Sequence, residues 1–181
     1  TPEEFAKIMI EKEGGFTNAK ALYDKSTLKE SSYHPLPIES GSSGDRYSSI
    51  LNKIFTKDYD FKDYDRASNI YWPGNKVGLG REDVISFWES LKNILSEVKF
   101  KVEHVGYLDE PNKNPKASVR WSLEGIHSVD SEIYGKKTNS NLYFMGINHA
   151  ELNSYSIIRE WVLFDEVAIW KQILMNRNKN G

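Results

Sequence analysis

No cysteine occurs in the 181 residues. Disulfides, thiolate metal sites and a cysteine nucleophile are therefore excluded. The absence is compatible with a reducing cytoplasm, which is the compartment expected for this chain. No apolar run approaches the roughly 18 residues of a membrane-spanning helix, and no signal-peptide pattern is present. The chain begins at Thr1 rather than Met, so an excised domain or a trimmed piece is expected. Charge of one sign is not in excess: 24 Lys and Arg stand against 26 Asp and Glu, for a net charge of −2. Neither nucleic acid nor a membrane surface is expected as a partner. The four histidines are scattered without an H-x-x-x-H spacing, so no metal site is expected. "GLGRED" has no β-α-β unit around it, and neither a G-x-S-x-G elbow nor a phosphate-binding loop occurs.

What is present suits one folded domain over 1–181. Apolar residues make up 39% and aromatic residues 13%, enough for a substantial core. Residues 2–13 predict a helix with Phe5, Ile8 and Met9 on one face, ended by Gly14-Gly15. Residues 17–45 are polar and irregular and predict a surface excursion, so the core spans about 46–175. A short helix is expected over 47–55, a short strand over 70–72 and a turn at Pro73-Gly74-Asn75. "REDVISFWESLKNIL" is the clearest helix, with a stripe of Val84, Phe87, Trp88 and Leu91 and with Gly80 at its N-cap. Strands follow at 98–108, 117–127, 141–152 and 156–164, and a last helix opens after Asp165. Short turns between successive strands predict an antiparallel meander. Helices, then a meander, then a terminal helix define an α+β fold with helices on one face of a curved sheet.

"FWESL", "SVRWSLEGIH", "GINHAEL" and "IIREWVLFDEVAIWKQI", in this order and spacing, resemble the SnoaL-like polyketide cyclase family of the nuclear transport factor 2-like superfamily. The resemblance runs from about Ile70 to Ile173. It implies a cone-shaped, cystatin-like α+β barrel, in which a strongly curved mixed or antiparallel sheet wraps around N-terminal helices. It also implies a hydrophobic pocket for a small hydrophobic or aromatic ligand, and a homodimer through the outer face of the sheet. Chemistry of this kind is cofactor-free lyase, isomerase or cyclase chemistry; a non-catalytic dimerisation or ligand-sensing module is the alternative. The excursion departs from the family and reads as a lid, a dimer arm or a linker remnant. A second departure is Val162, which stands where the family carries an acid.

Strand parity then sorts the candidates. In the last strand Arg159, Trp161 and Leu163 point one way, and Glu160, Val162 and Phe164 the other. Glu160 and Arg120 read as one pair, either an Arg-held base or ligand anchor or a buried ion pair setting register. Asp165 reads as a helix N-cap or as an acid at the rim. His149 is the best titratable candidate near neutrality. The catalytic candidates are thus His149, Glu160 and Asp165. The ligand contacts expected are Tyr71, Trp72, Arg120, Trp121, Tyr143 and Trp161. Trp121 and Trp161 are expected on neighbouring strands, where they stack on a flat ligand or fill a dimer interface. Trp88 and Trp170 lie on helix stripes and are expected in the core.

Overall fold

The computed structural model describes residues 1–20, 37–56 and 58–180. Much of the expected 17–45 excursion, residues 21–36, lies outside these. The described elements are α1 (Pro2–Lys12), α2 (Ser43–Ile54), β1 (Tyr64–Trp72), β2 (Lys76–Leu79), α3 (Arg81–Lys92), β3 (Leu95–Leu108), β4 (Lys116–His127), β5 (Asn141–Leu152), β6 (Ile157–Phe164) and α4 (Glu166–Asn180). They form an α+β fold in which the strands make one sheet in the order β2-β1-β6-β5-β4-β3. The sheet curls around the helices without closing.

The meander β3 to β6 is antiparallel, as the alternating patterns and short turns require. The expected 70–72 strand is longer. It starts at Tyr64, turns at Pro73-Gly74-Asn75 and pairs back with β2. This hairpin then docks β1 parallel to β6, a long-range pairing that no local pattern encodes. A bulge between Tyr64 and Asn69 shifts its register.

The helices show where propensity gave way to packing. α3 stops at Lys92, short of the expected residue 95, because Leu95 already pairs with His127 across the sheet. Its stripe of Val84, Trp88 and Leu91 is buried. α2 starts at Ser43, earlier than expected, because the Ser42 side chain caps the Asp45 amide at 3.2 Å. In α1 the expected apolar face is not the buried one. Ala6 and Ile10 are buried, whereas Phe5 is 62% exposed and Ile8 45%. The small Ala6 and its i+4 neighbour Ile10 sit against the body of the protein, and α1 packs on α4. That packing carries an ion pair between Lys171 and Glu13 at 2.5 Å, with Lys171 almost fully buried.

The inner face of the sheet and the helices enclose an aromatic core. Trp88, Trp121, Tyr47, Tyr64 and Phe144 are among its fully buried side chains. Trp72 stacks on Phe87 at 5.5 Å and meets Trp88 edge-on at 5.1 Å. Trp121 fits because its cross-strand partner is Gly146. A Cβ at Gly146 would stand 2.2 Å from the indole. Gly146→Ala is therefore expected to displace Trp121 and lower stability by about 3 kcal/mol, measured by urea unfolding. An unchanged midpoint would show that the Trp121 ring has room to move.

Candidate functional site

A carboxylate in an aromatic core demands donors, and Glu160 has them. Its side chain is fully buried on the inner face of β6. The Tyr47 hydroxyl of α2 donates to Oε1 at 2.6 Å. The Tyr64 hydroxyl of β1 lies 3.0 Å from both Oε1 and Oε2. Trp88 Nε1 of α3 donates to Oε2 at 3.1 Å, and Asn148 Nδ2 of β5 donates to Oε1 at 3.3 Å. The Asn148 amide cannot flip, because its Oδ1 accepts from Trp121 Nε1 at 2.8 Å. The cage is tied down further by Arg81, whose guanidinium donates to the Tyr64 carbonyl, from Nε at 2.8 Å.

Burial pushes the Glu160 carboxyl above its ordinary range, and the hydrogen bonds from Tyr47, Trp88, Tyr64 and Asn148 oppose the shift without cancelling it. Burial, reinforced by the neighbouring Glu160 charge, also raises both tyrosine hydroxyls well above their ordinary value. They stay protonated and act as donors. Every polar direction around Glu160 is thus occupied by the protein. A general base must come within hydrogen-bond reach of the proton it takes, and here those positions belong to Tyr47, Tyr64, Trp88 and Asn148.

The expected pairing of Glu160 with Arg120 does not occur. Arg120 lies on the outer face opposite Ile147, and Ile147 lies opposite Leu163, whereas Glu160 pairs with Ala150 on the inner rows. Trp121 and Trp161 are likewise separated. Their strands flank β5 rather than each other, and Trp121 points inward while Trp161 is 37% exposed on the outer face. The Val162 side chain faces the core like Glu160 and brings no carboxyl there.

The remaining candidates divide between the two faces. Trp72 is buried at the end of the core. Tyr71, His149 and Trp161 meet on the outer face: Tyr71 stacks on Trp161 at 5.4 Å, and His149 tilts against it at 5.3 Å. Tyr143 sits half-buried on the outer row, and its backbone N–H and C=O are met by the Gln172 side chain, each at 2.9 Å. Gln172 takes the place of a strand there because β6 ends at Phe164, opposite Gly146. Asp165 is an N-cap: its Oδ1 accepts from the Ala168 amide at 3.0 Å. Among the described residues, no group of three or more His, Cys, Asp or Glu is placed to hold a metal ion, and no helix is long and apolar enough to cross a membrane.

Sequence reasoning missed Tyr47 and Tyr64 and read Trp88 only as core. A signal was available. A Glu on an apolar strand row needs donors in the core, and Tyr47 lies on the same α2 face as Ile50, Leu51 and Ile54.

Gln at position 160 brings an N–H against either Trp88 or Asn148, both of which can only donate at that point. Glu160→Gln is expected to cost about 2–3 kcal/mol at acidic pH; Arg120→Ala, on the other face, is expected to stay within about 0.5 kcal/mol. A carboxyl raised above its ordinary value makes the folded state hold more protons than the unfolded chain. Its contribution is full below the ordinary carboxyl value and is lost as pH rises through the raised one. The advantage of the wild type over Glu160→Gln should therefore narrow with rising pH, in urea titrations across that window. Asp165→Ala should cost about 1 kcal/mol, read as a lower Tm.

No family model matches this sequence, and no curated protein sequence matches it. Solved structures do. A protein named as a SnoaL-like polyketide cyclase from Shewanella putrefaciens CN-32 is 16% identical, with a TM-score of 0.57 over 72% of this chain and 84% of that one. IdmH from Streptomyces antibioticus, named as a polyketide cyclase, is 14% identical, with a TM-score of 0.58 over 71% and 96%. A protein named as a SnoaL-like polyketide cyclase from Jannaschia sp. CCS1 is 13% identical, with a TM-score of 0.58 over 76% and 97%. Identities this low speak to architecture alone, and in architecture the chain has the SnoaL-like, nuclear transport factor 2-like cone.

Proposed function

We propose that this protein is a non-catalytic association module that forms a homodimer through the outer face of its sheet. The observation that carries the reading is an apolar band across β5 and β6. Met145, Ile147, Trp161 and Leu163 are 37%, 48%, 37% and 66% exposed, and Ile147 lies directly opposite Leu163. Single exposed apolar residues are ordinary, but a contiguous band marks an interaction surface. Trp161 is already held by Tyr71, by His149 and by the Arg159 guanidinium 5.8 Å from its ring. A pre-ordered aromatic loses little freedom on binding and suits a central anchor. The rim is polar, with Arg159 paired to Glu151 at 3.0 Å on one side and Lys101 to Glu103 at 3.0 Å on the other. The face measures roughly 25 Å by 35 Å from strand spacing and length, about what one partner contributes to a standard interface. The enclosure of Glu160 supports a structural role for that carboxyl rather than a catalytic one. The cysteine-free composition suits a reducing compartment, so we place the module in the cytoplasm.

A second reading has its own observation. A groove of about 410 Å³ borders Tyr71, Trp72, His149 and Trp161, within the size range of small-molecule sites. A small hydrophobic or aromatic ligand there would meet the His149 imidazole, without a cofactor.

Sedimentation equilibrium at tens of micromolar separates the two. The first reading expects a dimer that Leu163→Arg dissociates at least tenfold more readily with an unchanged monomer Tm. A wild-type monomer overturns it. A monomer whose Trp161 fluorescence is quenched saturably by a flat hydrophobic ketone supports the second.

A further inference from the structure

Leu163 of β6 lies opposite Ile147 of β5, and Ile147 lies opposite Arg120 of β4, so the three share one row across the sheet. Two residues beyond Leu163, Asp165 keeps the outward parity of β6 just past the end of the strand. Arg120 and Asp165 are both exposed. They border one groove of about 490 Å³, together with Met145, Ile147 and Leu163. The apolar band is therefore flanked by a cation on the β4 side and an anion at the end of β6.

Neither charge is paired within its own chain. Among the described residues, none of the ion pairs involves Arg120 or Asp165. The cap on the Ala168 amide uses Oδ1 of Asp165 alone, one of its two carboxylate oxygens. Glu103, on β3 next to Arg120, is taken up by the Ser122 hydroxyl at 2.7 Å and by Lys101 at 3.0 Å. Two strand spacings and two residues along the strand separate the Arg120 and Asp165 Cα atoms by about 12 Å.

Two copies that meet through the same face are related by a two-fold axis lying in the plane of that face. A residue on the axis meets its own copy, and residues placed symmetrically about it meet each other. One such axis bisects the line from Arg120 to Asp165. On ideal strand spacing, Met145, Ile147, Leu163 and Trp161 all fall within about 3 Å of it, with the two charges about 6 Å to either side. We propose, resting on the dimer reading above, that this is the axis of the homodimer. The apolar band packs on its own copy, and Arg120 of each subunit pairs with Asp165 of its partner, twice per dimer. An axis through Arg120 would instead set two guanidinium groups against each other, so the charges select the orientation.

The test is sedimentation equilibrium of charge variants of the whole chain. Arg120→Glu is expected to weaken the dimer about tenfold, since each substitution removes two pairs and sets two carboxylates together. Asp165→Asn keeps a side-chain oxygen for the cap and loses the charge. It is expected to weaken the dimer about fivefold, with an unchanged monomer Tm. The swapped variant Arg120→Glu/Asp165→Lys should return the dissociation constant to within about threefold of the wild type. A dimer that Leu163→Arg dissociates but the charge variants do not would overturn this axis and leave the dimer itself standing. Failure of the swap to restore association would overturn the axis as well. A wild-type monomer at tens of micromolar would overturn both the axis and the dimer.

Discussion

A carboxylate inside an aromatic core cannot be left unmet, since the desolvation of one charge rivals the net stability of a whole domain. In this fold the answer is assembled from far apart in the chain. α2 supplies Tyr47, β1 supplies Tyr64, α3 supplies Trp88 and β5 supplies Asn148, all converging on Glu160 of β6. β4 enters through Trp121, which holds the Asn148 amide in the one orientation that donates to Glu160. If the register of β6 slipped by one residue, the carboxyl would face water and Trp161 would face the cage. The buried charge and the cone geometry therefore require each other.

The same parity gives the sheet two characters. Its inner rows are filled with aromatic rings, made possible at the tightest point by the bare backbone of Gly146 under Trp121. Its outer rows keep Ile147, Leu163 and Trp161 against solvent. An ordinary antiparallel sheet with one wet face alternates apolar with polar. Here the outer rows of β5 and β6 also carry apolar side chains, at Met145, Ile147, Trp161 and Leu163, with the exposed Arg120 of β4 beside them opposite Ile147.

The polar groups outside the cage follow the same accounting, that each buried donor or acceptor needs a partner. Gln172 completes the Tyr143 backbone where β6 runs out, and Asp165 takes up a free amide of α4. Among the described residues the exceptions are the Ser68 hydroxyl, His127 Nε2 and Arg177 Nε.

Alternation and turn chemistry in the sequence determined the four-strand meander, the Pro73-Gly74-Asn75 turn, the stripe of α3 and the partition of β6 into two faces. These are local properties, set by backbone periodicity and by residues such as Gly74 with fixed conformational needs. The Asp165 cap was legible for the same reason, because a cap reaches only three residues along the chain. Tertiary structure decided the rest. It placed β1 parallel to β6, put Ala6 rather than Phe5 against the body of the protein, sent Arg120 and Glu160 to opposite faces and gathered Tyr47 and Tyr64 around one carboxyl. Parity within a strand says which residues share a face, but not which face is inside or which distant side chains meet there. That choice is made by the burial of the whole sheet against its helices, and it enters the sequence only as a sum over all of them.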